Sequence, residues 1–246
     1  MEVNNKHKKY RLDNLLVNKK IVRTRSQAES YIRLGKVLID GKEIRKTGTF
    51  VSADSKLELK QEIQYVSRAG MKLESVAEVL DLDFKDKIVL DVGSSTGGFT
   101  DFSLRNGAKK VIAVEVGTKQ MVFQLAKHKK VELYEKTDIR DFETSYNFGL
   151  ILVDVSFISL TEVLPKIKQL ANLKTNICVM AKPQFEAGFR QTNKGVVKNE
   201  RERRKILKNL ESWFSNHDLK LIKKADSNIA GEKGNLERFY LLRKIK

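Results

Sequence analysis

The stretch Ile88–Thr100, IVLDVGSSTGGFT, constrains this chain more than any other. A run suited to a buried strand leads straight into a glycine-rich turn, and FTDFSLRNG then continues with helical period. Glycines at 93, 97 and 98 allow a sharp turn and a close approach of backbone to a bound molecule. Their spacing, G-x-x-x-G-G, is not the G-x-G-x-x-G of dinucleotide binders, and no P-loop Lys-Ser/Thr pair follows. A nucleoside ligand without a pyrophosphate fits better. Glu115 ends the next strand, 22 positions after Gly93, where a carboxylate can accept hydrogen bonds from ribose hydroxyls. Asp138 follows the third strand-like run and can meet an adenine amino group. Asp91, Ser94 and Thr96 complete the candidate nucleoside pocket.

Around this unit, strand-like and helix-like segments alternate. IVLDV, VIAVEV, LILVDV and NICVMA are strand runs; LTEVLPKIKQLAN and NERERRKILKNLESWF are helical by period. Alternation of this kind predicts an α/β fold with a mostly parallel, doubly wound sheet. LKLIKKAD and ERFYLLRKI follow one another with only a loop between, which predicts an antiparallel hairpin at the end of that sheet. In the last long helix, Ile206, Leu207, Leu210, Trp213 and Phe214 form a core-facing stripe.

A boundary falls near KQEIQYV, dividing the chain into 1–62 and 63–246. The first part is a small α+β domain. RLDNLLVNK places Leu12, Leu15 and Leu16 on one helix face. SQAESYIRLG offers Ser26 and Glu29 as a capping box and Gly35 as the C-terminal stop. KVLIDGKEI is a hairpin turning at Asp40-Gly41, and LELK closes the small sheet.

The chain is 41% hydrophobic and 32% charged, with a net charge of +17. That charge sits at the ends: residues 1–50 carry 13 Lys/Arg against five acids, 51–193 are close to balanced, and 194–246 carry 15 against seven. Basic ends around a neutral middle suit a polyanionic partner. No apolar run reaches the roughly 18 residues of a membrane helix. MEVNNKHKKYRLDN lacks the apolar run of a secretory signal, and the single cysteine, Cys178, fits a reducing cytoplasm. His7, His128 and His217 show no metal-ligand spacing, so no metal is expected.

YVSRAGMKLE, LDVGSSTGGFTD, DVSFISL, AKPQFEAG, KGVV and GNLERF run in order from Tyr65 to Phe239, and through them the chain resembles the TlyA (hemolysin A) family, whose catalytic domain is FtsJ-like. RLDNLL and RSQAESYIRLGKVLIDGK resemble the RNA-binding domain named after ribosomal protein S-four. Two departures stand out: Thr47 occupies a place where that domain often has proline, and Glu115 one where the family often has aspartate. The resemblance implies a Rossmann-like methyltransferase domain using S-adenosylmethionine. It also implies a cytidine ribose 2′-hydroxyl of ribosomal RNA as acceptor, with a lean to the large subunit because no extension follows the last strand. The Lys-Asp-Lys-Glu site it implies falls on Lys72, Asp154, Lys182 and Glu237.

The chemistry of those residue types is consistent with this. A hydroxyl attacking a sulfonium methyl needs alignment first and proton removal second. Free lysine titrates at about 10.4, so Lys182 is either a base with a depressed pKa or a cation stabilising the developing alkoxide. Lys72 and Glu237 would orient the hydroxyl and the lysines. Methylation at cytosine C5 would need a thiolate, and Cys178 lies inside an apolar strand. Methylation of exocyclic amines usually shows an Asp/Asn-Pro-Pro-aromatic loop, and here that loop is DVSF. For RNA phosphates the candidates are Arg11, Arg23, Arg25, Arg33 and Lys36 in the small domain, with Arg68, Arg190 and Lys194 in the larger one. PQFEAGFRQTNKGVVKN, which holds the last two, reads as a substrate loop. Two rival functions are a cytolysin and a non-catalytic RNA-binding assembly factor. The first lacks an export signal or membrane segment; the second would not need an intact cofactor motif.

Overall fold

The computed structural model describes the chain except for residues 1–8, 23, 34, 61–64, 188–195, 198, 230, 232 and 233, and except for the side chains of Ser26, Ser30 and Arg33. The chain separates into two compact units, Met1–Arg68 and Ala69–Lys246.

In the first unit, β1 (Lys9–Arg11) leads into α1 (Leu12–Asn18), and α2 (Arg25–Arg33) packs against it. Leu12, Leu15 and Leu16 of α1 and Ala28, Tyr31 and Ile32 of α2 are buried. The cap of α2 is Thr24, whose hydroxyl accepts the Gln27 N–H at 3.2 Å. The expected cap at Ser26 is therefore wrong by two residues. The helix gains its first turn upstream, and Glu29 instead pairs with Arg25 at 3.3 Å. Gly35 adopts φ +68° at the helix end, the left-handed conformation a C-terminal stop requires. β2 (Val37–Ile39) and β3 (Lys42–Ile44) pair antiparallel, with Asp40 and Gly41 both at positive φ as a two-residue turn of this kind demands. β5 (Leu57–Leu59) joins the other side of β2. β4 (Phe50–Ser52) pairs with β1, a pairing with no local signal.

The second unit is a seven-stranded sheet flanked by helices. Its strands are β6 (Ile88–Val92), β7 (Lys110–Val114), β8 (Val131–Tyr134), β9 (Leu150–Val153), β10 (Asn176–Ala181), β11 (Leu219–Asp226) and β12 (Arg238–Lys244). Their order is β11-β12-β10-β9-β6-β7-β8, and β12 runs antiparallel to both its neighbours while the other ladders are parallel. The expected α/β sheet with a terminal antiparallel strand is what forms. Buried central strands read as continuous apolar runs because helices cover both faces. Those helices include α3 (Arg68–Ala77), α4 (Gly98–Arg105), α6 (Leu160–Leu170) and α8 (Glu200–Asn216), with short turns α5 (Phe123–Ala126) and α7 (Pro183–Glu186). Strand order reverses at β6, where β7 lies on one side and β9 on the other. A sheet of this kind binds ligands at such a switch point, beyond the carboxyl ends of the strands. Among the described residues, no helix is long and apolar enough to cross a membrane.

Candidate active site

At the carboxyl end of β6 the chain turns at Gly93, φ +79°, and its N–H and that of Ser94 donate to the Val114 carbonyl at 2.9 and 3.2 Å. A Cβ on Gly93 would lie 2.5 Å from the Asp154 carbonyl oxygen. Glycine is thus required where the ends of β6 and β9 converge. Gly97, φ +97°, precedes α4, and a Cβ there would lie 2.6 Å from Leu125 Cδ1. The left-handed backbone conformation by itself favours glycine at this position. Gly98 opens α4.

Asp91 is fully buried at the end of β6. One carboxylate oxygen accepts the Thr100 hydroxyl at 2.6 Å, and the other has no hydrogen-bond partner among the described residues. Burial, with Asp154 and Glu115 nearby, pushes its pKa up to about 7, against the Thr100 bond that lowers it. Ser94 Oγ is likewise buried and unpartnered there. Both residues line a cavity of about 210 Å³ shared with Thr96, Gly98, Phe99, Asp154 and Lys182.

A second cavity, about 570 Å³, adjoins it through Gly93, Ser95, Asp154 and Ser156 and reaches Glu115, Asp138 and Val116. Its size is within the range of small-molecule sites. Glu115 is buried and accepts the Ser95 and Gly117 N–H groups at 2.9 and 2.8 Å. It therefore braces the glycine turn as well as lining the cavity. Asp138 is held by its ion pair with Arg140 at 2.6 Å.

Asp154 follows β9 and Lys182 follows β10. Lys182 Nζ lies 2.6 Å from Asp154 Oδ1 and donates to Ser156 Oγ at 2.7 Å. Lys72, on α3, donates to Glu237 Oε1 at 2.8 Å; Glu237 is 3% exposed, and its other oxygen has no partner among the described residues. Strand register explains how residues so far apart in sequence share an edge. Val92 pairs with Val153, so Gly93 and Asp154 follow side by side. Ala181 pairs with Arg238, so Lys182 and Glu237 extend the same ladder. The four charges form two ion pairs at the carboxyl edge of the sheet. Lys72 and Glu237 line neither cavity. Ser156, Glu186 and Arg140 join this region without any signal in the sequence, since each acts through a contact that only folding creates.

Cys178 is buried within β10, and burial alone pushes its thiol up to about 12, far from a thiolate nucleophile. Of the candidate phosphate ligands, Arg11 and Arg25 both pair with Asp13, at 2.7 and 3.0 Å. Asp13 is fully buried; burial raises its pKa, but Arg11, the Asn14 N–H and Arg25 outweigh this and hold it below the usual carboxylate range. Both guanidiniums thus carry a structural task in the first unit. Lys36 and Arg68 are half-buried. Arg23, Arg190 and Lys194, and the side chain of Arg33, lie outside the described residues, as does most of the expected substrate loop.

A mostly parallel sheet whose switch point opens on adjoining cavities lined by acids and a glycine turn is the architecture of a ligand-binding α/β protein. The chain belongs to the FtsJ-like methyltransferase family, whose family model matches residues 65–244, and residues 11–57 match the S4 domain. It is 37% identical to the 23S rRNA (cytidine-2′-O)-methyltransferase TlyA of Campylobacter jejuni over 91% of this chain and 96% of that protein. The 16S/23S rRNA (cytidine-2′-O)-methyltransferase TlyA of Mycobacterium tuberculosis is also 37% identical, over 76% of this chain and 72% of its own length. A solved structure described as a hemolysin from Streptococcus thermophilus superposes with a TM-score of 0.74 at 35% identity, covering 97% of this chain and 89% of that one.

Proposed function

We propose that this protein transfers a methyl group from S-adenosylmethionine to the 2′-hydroxyl of a cytidine in ribosomal RNA, with the large subunit as substrate. The observation that carries this reading is the Lys182–Asp154 ion pair beside the glycine turn, with Asp154 lining both adjoining cavities. The relatives named for cytidine 2′-O-methylation support the acceptor. The relative named for 23S RNA alone, matched over nearly the full length of both chains, supports the large subunit.

S-adenosylmethionine, when bound, supplies an electrophilic methyl on a sulfonium. The residues present suit it. Asp91 and Ser94 offer buried polar atoms without partners among the described residues, fit for an amino acid moiety. Glu115 and Asp138 face the larger cavity as acceptors for ribose hydroxyls and an adenine amino group. Gly93, Thr96, Gly97 and Gly98 shape the turn between them. At the sheet edge, Asp154 holds Lys182 by its charge beside the acceptor hydroxyl; the ammonium stabilises negative charge on that oxygen as its proton passes to solvent, and the new O–C bond then replaces the S–C bond, leaving a neutral thioether. Lys72, on α3, and Glu237, beside the neighbouring strand end, orient the acceptor. Residues 1–62 hold the RNA and 63–246 carry out transfer, with Arg11, Arg23, Arg25, Arg33, Lys36, Arg68, Arg190 and Lys194 as phosphate contacts. A ribosomal substrate places the protein in the cytoplasm.

The test is single-turnover methyl transfer to ribosomal subunits lacking the modification, at saturating cofactor, with the modified nucleotide mapped. Lys182→Ala should slow transfer at least about 10²-fold while folding and cofactor affinity stay near wild type. Residual transfer should remain, since alignment contributes much of the acceleration. A wild-type rate in Lys182→Ala, or transfer to a base atom, would defeat the reading. Dye release from liposomes by the purified protein would favour a lytic function.

A further inference from the structure

Asp154 and Lys182 lie on separate segments, 154–159 after β9 and 182–187 after β10, and a lysine–carboxylate pair is only as precise as the segments that carry it. Three contacts tie these two together. Lys182 Nζ bonds Ser156 Oγ at 2.7 Å, and the rings of Phe157 and Phe185 pack with centroids 5.1 Å apart. The third contact has no part in the chemistry above. Glu186, the last residue of α7, accepts the Ser159 hydroxyl at 2.6 Å on one oxygen and the Leu160 N–H at 3.0 Å on the other.

This contact does more than cap a helix. Ser159 already caps α6 by accepting the Thr161 N–H at 3.2 Å. Glu186 therefore adds a carboxylate at the positive end of α6, where negative charge is favoured. It comes from a segment four residues beyond Lys182. The loop it holds includes Phe157 at φ +66°, a left-handed conformation costly for a residue with a Cβ and kept only when its surroundings enforce it. Facing Glu186 at the α6 start are the Ser159 hydroxyl, the Leu160 N–H and the Glu162 charge; no cation is bonded to it among the described residues.

We infer that Glu186 is a positioning residue, whose carboxylate clamps α7 to the start of α6 and so sets the geometry of the Lys182–Asp154 pair. This rests on that pair being the reacting one. Glu186→Ala should then lower the single-turnover rate about tenfold or more with cofactor affinity unchanged, since displacements of about 1 Å at a reacting centre can cost 10²-fold. Glu186→Gln keeps the reach and an acceptor for Leu160, and should recover most of the rate. Glu186→Asp keeps the charge but shortens the reach by one methylene; it should lose rate and stands in for alanine should that variant not fold.

The deciding measurement is a double-mutant cycle with Lys182→Ala on the full chain. A clamp acting through Lys182 has little left to set once Lys182 is gone, so Glu186→Asp or Glu186→Ala should change the residual rate by less than about twofold in that background. Equal fold-losses in both backgrounds, or wild-type rates for both Glu186 variants, would overturn the inference. Failure of the underlying reading shows separately, as a wild-type rate in Lys182→Ala alone.

Discussion

Asp91 illustrates how a single residue ties stability to ligand chemistry. Its carboxyl titrates near 3.8 when free and near 7 in the fold, with burial the largest cause. The folded chain thus keeps a proton that the unfolded chain releases. Without ligand, stability should fall as pH rises from about 4 to about 7 and stay low above that. Asp91→Asn should abolish this slope, seen as urea midpoints that no longer separate between pH 5 and pH 8. Binding of a cationic amino group favours the ionised acid. S-adenosylmethionine affinity should therefore rise through pH 7 in the wild type and stay flat in the variant. A wild-type affinity that ignores pH would remove Asp91 from the pocket. The residue's type and place near the end of a strand run were readable in the sequence; its burial, and hence its pKa, were not.

At the scale of elements, α8 and the terminal hairpin are joined through a charge in a place where periodicity marks only apolar residues. Ile206, Leu207, Leu210 and Phe214 are buried as their spacing requires, but so is Arg203, one turn earlier. Its guanidinium donates to Asp226 on β11 at 2.5 Å and to the Leu236 carbonyl at 3.2 Å, one residue before Glu237. Arg238 also pairs with Asp226, at 2.8 Å, so the acid is satisfied from both sides. Arg203→Leu would leave the Leu236 carbonyl and one face of Asp226 short of a donor. It should cost about 3 kcal/mol, measurable as a lower urea midpoint with unchanged m-value. A loss below about 0.5 kcal/mol would show that α8 is held by its apolar stripe alone.

For the whole molecule, charge distribution makes the strongest statement. Net positive charge is concentrated in residues 1–50 and 194–246. RNA affinity of the full chain should therefore fall at least about tenfold between 50 and 200 mM salt, as log K declines with each phosphate contact. Binding that ignores salt would mean that base contacts or protein contacts dominate. Because Arg11 and Arg25 are shared with Asp13, they should contribute less to that slope than their number suggests.

What the sequence determined by itself was local. Strand runs, helical periods, the Asp40-Gly41 turn and the Gly35 stop follow from neighbours in the chain, whose side chains decide backbone preference directly. The alternation of these elements also limits the fold to a doubly wound sheet. Even locally, competing caps can mislead, as Thr24 does by starting α2 ahead of Ser26. Tertiary structure alone decided the pairings. Lys72 meets Glu237 across 165 positions, Glu186 reaches Ser159, Asp13 is buried beneath two arginines, and the Asp154 carbonyl crowds Gly93. A charged or polar residue carries no signal of its partner along the chain. Its partner is set by strand order and register, which place the ends of β6, β9, β10 and β12 side by side and bring their charges into one low-dielectric edge.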